Sequence, residues 1–157
     1  MTRKRTFREK LADDKDFPRV QELSGGMEQR WGSGTIVLPA VSEVKALMQR
    51  VPRGKILTIN QIRETLARSH HASIACPIVT GIHARIVAGA AGEDEADNKK
   101  RVTPYWRTLK SNGELNAKYP GGIPGQRAHL EDEGLSVTKR GQRWFVEDYE
   151  NHRAELG

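Results

Sequence analysis

The stretch TINQIRETLARSHHASIACPIVTGIHARIVAGA, residues 58–90, decides the fold. Thr58 or Asn60 supplies a side-chain oxygen that can cap a helix over Gln61-Ile62-Arg63-Glu64-Thr65-Leu66-Ala67-Arg68, with Ile62 and Leu66 one turn apart on one face. Ser69-His70-His71 is a polar break. Pro77 then suits the first turn of a second helix, where its missing N–H costs nothing, and Ile78, Ile82, Ile86 and Ala90 recur at helical spacing as its expected apolar stripe. Two helices joined this way, preceded by another, predict a helix-turn-helix.

The preceding helix follows Thr35-Ile36-Val37-Leu38, a β-branched run stopped by Pro39 that predicts a short strand. Ser42 is the expected cap of a helix carrying Val44, Leu47, Met48 and Val51, ended by Pro52 and Gly54. Residues 1–34 alternate basic and acidic clusters and close on Gly25, Gly26, Gly32 and Gly34, which reads as a poorly packed arm. On the other side, residues 92–100 are acidic, then basic, with Ala96 as their one apolar residue, and predict a surface loop. Thr103-Pro104-Tyr105-Trp106-Arg107-Thr108-Leu109 is expected to be extended, followed by a tight turn at Ser111-Asn112-Gly113. Pro120-Gly121-Gly122 is a second sharp loop, leading into a helix over about residues 124–133 that Gly134 terminates. Residues 135–146, with a Lys139-Arg140-Gly141 turn, predict a basic hairpin. The sum is an α+β fold, mainly helical: a helix-turn-helix, winged-helix-like domain over residues 35–134 with a short strand or hairpin after its motif loop. An N-terminal arm at 1–34 and a basic C-terminal extension at 135–157 flank it.

Composition narrows the partners. Lys and Arg number 26 against 20 Asp and Glu, a formal charge of +6, and the pI is near 9.7. This balance favours polyanions. The surplus is sharpest at Arg3, Lys4, Arg5 and Arg8 and again at Lys139, Arg140 and Arg143. The single cysteine, Cys76, excludes an intramolecular disulfide and argues for a reducing compartment. No metal is expected, because His70 and His71 have no cysteine or spaced histidine to complete a site. No run approaches the roughly 20 apolar residues of a membrane-spanning helix. A cytoplasmic protein near the nucleoid, without a cofactor and without a membrane partner, is the expectation.

Residues 51–134 resemble the C-terminal DNA-binding domain of the alkylguanine-DNA alkyltransferases and the related alkyltransferase-like proteins that lack the acceptor cysteine. The features that carry it, in order, are Val51-Pro52-Arg53-Gly54-Lys55, Thr58 with Gln61-Ile62, Thr80-Gly81, Pro104-Tyr105-Trp106-Arg107, Asn112-Gly113 with Leu115, Tyr119-Pro120-Gly121-Gly122, and Leu130 with Glu133-Gly134. In the alkyltransferases a Pro-Cys-His-Arg motif supplies the thiolate that accepts the alkyl group, and a glutamate on the later helix orients the histidine. Here Tyr105 stands at the cysteine position and Trp106 at the histidine position, while Pro104, Arg107 and Glu133 match. A phenol with an ordinary pKa of about 10 is protonated at neutral pH and is a poor alkyl acceptor. The resemblance therefore implies no transfer, but a non-enzymatic protein that binds duplex DNA and senses alkylated or damaged bases for repair, with a repair protein as a second partner.

The resemblance also implies the site. DNA-contacting residues are expected at Thr58, Gln61, Thr80, Gly81, His83 and Arg85, on a helix that enters the minor groove. A pocket is expected among Tyr105, Trp106, Tyr119, Gly121 and Gly122, with Tyr105 as the stacking wall for a flipped base. Gly81 has two readings, close approach of the sugar-phosphate chain or close packing of a neighbouring helix. Arg107 is expected to brace the loop through backbone or Glu133, and Glu133 to end its helix. The chain departs from the pattern at Ile59, in the place of a tyrosine that helps rotate the target phosphate. It departs again near Ile78, where an arginine finger stands, and at Pro120, where a serine is common. Two alternatives stand beside this reading: a diverged enzyme using Cys76 as acceptor in a rebuilt pocket, and a protein-interaction module that uses residues 92–100 and the tails.

Overall fold

The computed structural model describes residues 5–23 and 34–156; Arg3, Lys4, Gly25, Gly26 and Gly32 of the expected arm lie outside them. Strand β2 (Thr35–Leu38) forms where the β-branched run predicts it. It pairs antiparallel with β1 (Arg19–Glu22) and parallel with β4 (Ile74–Ala75), in register Arg19 with Leu38 and Ile36 with Ile74. Helix α2 (Val41–Gln49) buries Val41, Val44, Leu47 and Met48, one apolar stripe at helical spacing. Its cap is not Ser42. The helix starts after Ala40, whose N–H donates to the Glu43 carboxylate at 2.9 Å, and the Ser42 hydroxyl donates to Asp14 instead.

Helix α3 (Ile59–Ser69) is capped by Thr58 in a reciprocal pair: the Gln61 N–H donates to the Thr58 hydroxyl at 3.3 Å, and the Thr58 N–H donates to the Gln61 amide oxygen at 3.0 Å. Ile62 and Leu66 are buried as expected. Residues 70–76, which contain β4, connect it to α4 (Pro77–Ala96); this is longer than the turn of about three to four residues in a compact helix-turn-helix. Pro77 occupies the first turn of α4. The acidic run expected to be a loop extends this helix to Ala96.

That extension has a partner in the N-terminal segment. Helix α1 (Phe7–Leu11) lies on α4, the Phe7 and Arg8 N–H groups donating to Glu93 at 3.0 and 2.9 Å, and the Arg8 guanidinium reaching Asp97 at 2.7 Å. The Phe7 ring sits so close to Gly89 that a Cβ there would come within 2.3 Å of it. Residues 5–23 thus pack as α1 and β1, against the expectation of a loose arm. The acidic residues are helical because they hold α1 in place.

After α4 the chain enters a short 3-10 turn (Tyr105–Arg107), not the extended segment expected there, and only then β5 (Thr108–Leu109), parallel to β3 (Leu57–Thr58). Gly113, at φ +84°, closes the following turn with its N–H on the Lys110 carbonyl. Helix α5 (Gly122–Asp132) ends before Gly134, whose φ of +87° is the left-handed stop the sequence predicts. Strands β6 (Val137–Arg140) and β7 (Arg143–Val146) form the expected hairpin. The C-terminal segment is integral to the core: Val137 and Val146 pack with Ile56, Leu109, Leu115 and Leu130, and Ala154 and Leu156 pack into the larger core of α2, α3 and α4. The Ala154 N–H donates to Ile56 at 2.7 Å, which adds the tail alongside β3. Among the described residues no helix is long and apolar enough to cross a membrane.

Candidate nucleic-acid interface

Helix α4 buries Thr80, His83, Ala84, Val87, Ala88 and Ala91 against the core. The opposite face therefore carries Ile78, Gly81, Ile82 and Arg85, spaced i, i+3, i+4 and i+7. The predicted stripe is corrected at its two leading members: Ile78 is 71% and Ile82 54% exposed, while Ile86 is half-buried and Ala90 buried. Small residues face the core because α1 and α2 approach closely, as Phe7 on Gly89 shows. A row of isoleucines would not fit there.

Across from this face lies the loop that follows β5. Ile78, Gly81, Ile82 and Arg85 on one side and Lys110, Asn116, Ala117 and Lys118 on the other line a groove of about 400 Å³. Arg85, Lys110 and Lys118 are exposed. The loop is held from beneath by Gln126 of α5, a fully buried side chain with no signal of its own in the sequence. Its amide oxygen accepts the Asn116 N–H at 2.8 Å, and its amide N–H group donates to the Trp106 and Thr108 carbonyls at 3.1 and 3.3 Å. Among the described residues, no atom beyond its chain neighbours and its own helix backbone lies within 4 Å of a Cβ built on Gly81, so packing against the described elements does not account for that glycine, and its backbone is open to close approach.

Of the residues expected to touch DNA, only Gly81 and Arg85 lie on this face. Thr58 is buried as the α3 cap, and Gln61 completes that cap and donates to the Ala154 carbonyl at 2.8 Å. Thr80 is fully buried. His83 is buried with its ring edge against Phe17 at 5.1 Å, and desolvation lowers its pKa despite a hydrogen bond to Pro39. Thr58, Thr80 and His83 are thus buried away from any phosphate, and Gln61, half-buried, is engaged by the cap and the C-terminal segment.

The motif segment is a second constellation, and it is closed. Tyr105 is 3% exposed and meets Tyr119, itself 3% exposed, edge to face at 6.2 Å. Burial, with a hydrogen bond to Glu95 and that carboxylate's charge, raises the Tyr105 phenol above its ordinary value; burial alone raises Tyr119. Tyr105 is therefore a core residue and not an open stacking wall, because Tyr119, Trp106 and His129 all pack around it. Gly121 and Gly122, at φ +79° and +62°, make the turn into α5. Pro120 is held against Gly92, where a Cβ would lie 2.6 Å away.

Trp106 stacks on His129, with ring centroids 3.9 Å apart and planes at 10°, and its indole N–H donates to Glu133 at 2.9 Å. Arg107 grips the same carboxylate through two nitrogens at 2.9 and 2.7 Å and donates to the Val51 carbonyl at 2.7 Å. The Gly54 N–H adds a fourth donor at 3.3 Å. Burial pushes the Glu133 pKa up, but the hydrogen bonds from Arg107, Trp106 and Gly54 and the Arg107 charge outweigh it and hold it below the ordinary carboxylate value. Arg107 braces the loop as expected. Glu133 is more than a helix end: it ties α5 to the motif turn and to the turn after α2.

Cys76 is half-buried at the start of α4, its N–H donating to the Val37 carbonyl at 2.9 Å. His70 lies 2.6 Å from the Glu43 carboxylate. Among the described residues no group of three or more His, Cys, Asp or Glu side chains is placed to hold a metal.

No protein-family model and no curated protein matches the chain. Among solved structures the chain is similar to the crystal structure of S. pombe Atl1 in complex with damaged DNA containing O6-carboxymethylguanine. The TM-score is 0.51 at 16% identity, covering 73% of this chain and 94% of that one. A structure of S. pombe ATL in complex with DNA matches over the same shares, at 16% identity and a TM-score of 0.49. The first likeness shows that the α+β fold is shared with Atl1.

Proposed function

We propose that the chain is a non-enzymatic, alkyltransferase-like protein that binds duplex DNA through the exposed face of α4 and serves in the sensing of damaged bases. The observation that carries this reading is the set Ile78, Gly81, Ile82 and Arg85, flanked by Lys110 and Lys118: a helix face that none of the described residues covers, bordered by cations. Cations position a phosphate backbone, and a bare glycine lets that backbone approach. The fold shared with Atl1, which was crystallised on damaged DNA, supports the same direction. In this reading α3 and α4 act as the helix-turn-helix and the β6–β7 hairpin, with Lys139, Arg140 and Arg143, as a wing. Repair is completed by a protein partner, in the cytoplasm at the nucleoid. The working unit is larger than residues 35–134, since both flanking segments pack into it.

Tyr105 is the reason for excluding transfer chemistry. At the acceptor position stands a buried phenol, held protonated by its surroundings, with an indole in place of the expected base. Trp106 donates to Glu133 from the histidine position, so it keeps the scaffold and removes the base, while Tyr105 removes the nucleophile.

Titration of the full chain with a duplex, with and without O6-alkylguanine, tests this. Both are expected to bind at low salt, with affinity falling about 0.9 log unit per log unit of salt for each phosphate neutralised. The protein mass is expected not to change. No binding to any duplex at low salt would end the proposal, and an alkyl group on Tyr105 or Cys76 would end its non-enzymatic part.

A further inference from the structure

We infer that a second groove, between α2 and the segment that follows α4, is a docking site for an acidic, extended stretch of a partner protein. The inference rests on the reading above for the existence of a partner, and not for the DNA.

Lys45 and Gln49, four apart on α2, line this groove on one side and residues 100–104 line it on the other, around a volume of about 400 to 450 Å³, 430 Å³ at its measured extent. The Gln49 side-chain amide donates to the Thr103 hydroxyl at 3.3 Å and ties the two sides together. Three cations meet here, Lys45, Lys100 and Arg101, and none has an ion-pair partner among the described residues. The lining holds one carboxylate among the described residues, Asp94, which lies 3.5 Å from the Arg8 guanidinium and is offset by it. The groove is therefore positive. Cations gathered without counter-charge repel one another, and a ligand that brings carboxylates relieves the repulsion. The backbone N–H groups of residues 100–103 donate to no described residue, so this segment also has donors unspent for the carbonyls of an added chain. Val102 and Pro104 supply an apolar part to the lining, Val102 being packed on the core.

The lining favours a peptide over nucleic acid. A duplex is a convex rod and does not enter a concave groove of this size. A single strand binds by stacking bases on aromatic rings, and the described lining has none. Asp94 opposes a chain that is charged at every step, whereas a peptide can space its carboxylates to avoid it. The site is also clear of the face proposed for DNA. Asp94 follows Arg85 by about two and a half helical turns, which places it on the opposite side of α4, about 13 Å further along the axis. A partner seated here leaves Ile78, Gly81, Ile82 and Arg85 uncovered, so both ligands can be held at once.

The test titrates the full chain, by fluorescence anisotropy at low salt, with a labelled peptide in which glutamates alternate with serines around a central leucine. A second peptide carries glutamine in place of each glutamate. The glutamate peptide is expected to bind, and the glutamine peptide to bind about ten-fold more weakly or worse. A saturating duplex is expected to leave the glutamate peptide in place. The variant Lys45→Ala, Lys100→Ala, Arg101→Ala is expected to melt like wild type and to lose about ten-fold in peptide affinity, with an unchanged salt slope for duplex DNA. Lys45→Arg with Lys100→Arg keeps the charge and is expected to bind the peptide as wild type does. No binding of the glutamate peptide, equal binding of the two peptides, or undiminished binding by the alanine variant would overturn the site. Displacement of the peptide by duplex or single-stranded DNA, or a smaller duplex salt slope in the alanine variant, would give the groove to nucleic acid and overturn it equally. The duplex titration decides the DNA reading by itself, so the two can fail separately.

Discussion

Replacing Glu133 by alanine is expected to cost about 3 to 5 kcal/mol of folding stability, the largest single effect the structure implies away from the core. The Glu133 side chain is 3% exposed and that of Arg107 14%, so its removal leaves a guanidinium facing the interior without its counter-charge. Four donors lose their acceptor together: Arg107 through two nitrogens, the Trp106 indole, and the Gly54 N–H. Glu133→Gln keeps an acceptor but not the charge, and is expected to fall between. The network also sets a pH dependence. Because the folded pKa lies below the unfolded value, its contribution is full above the ordinary carboxylate range and is lost as pH falls through the lowered folded value. Urea midpoints for the two variants, measured at neutral and acidic pH, check both points. A Glu133→Ala midpoint equal to that of wild type would show that the network is not structural.

The second large effect concerns binding. Removing the cations of the groove together, as Arg85→Ala, Lys110→Ala and Lys118→Ala, is expected to weaken duplex binding by roughly a hundred-fold at moderate salt and to reduce the salt slope by about 0.9 for each phosphate no longer neutralised. Folding should hardly change. All three side chains are exposed, and the one ion pair found for them among the described residues, Lys110 with Glu114 at 3.7 Å, is a surface pair of small worth. Salt titrations of the triple variant beside wild type measure the loss; an unchanged slope would move the phosphate-binding cations to another surface.

Local chemistry makes part of this legible in the sequence. The Thr58 and Gln61 spacing specifies a reciprocal cap, Pro77 a helix start, Gly134 a left-handed stop, and the run from Val137 to Val146 a hairpin, because each depends on residues within one turn of itself. The Arg107 to Glu133 brace is legible because the two lie in matched segments. The face of α4 is not, since isoleucines and small residues both recur at helical period. The choice between them is made by Phe7, more than eighty positions away in the chain, which needs the bare surface of Gly89. The same long-range packing turns an acidic run into helix, through Arg8 and the backbone of α1. Tyr105 reads as an open wall in the sequence because its burial depends on Tyr119 and His129, which only the fold brings against it and its neighbour Trp106.

The groove residues Lys110, Asn116 and Lys118 carry no signal of their own in sequence. They line the groove because Gln126 anchors their loop and places it opposite α4. That juxtaposition, more than any motif residue, is what makes the α4 face a candidate for DNA.

The most direct measurement is therefore an NMR titration of the isotope-labelled chain with a short duplex at low salt. Shifts are expected to concentrate at Ile78, Gly81, Ile82 and Arg85 and at Lys110, Asn116 and Lys118, leaving Thr80 and His83 little changed. Shifts that leave this face silent and gather elsewhere, or no shifts at all, would contradict binding through α4.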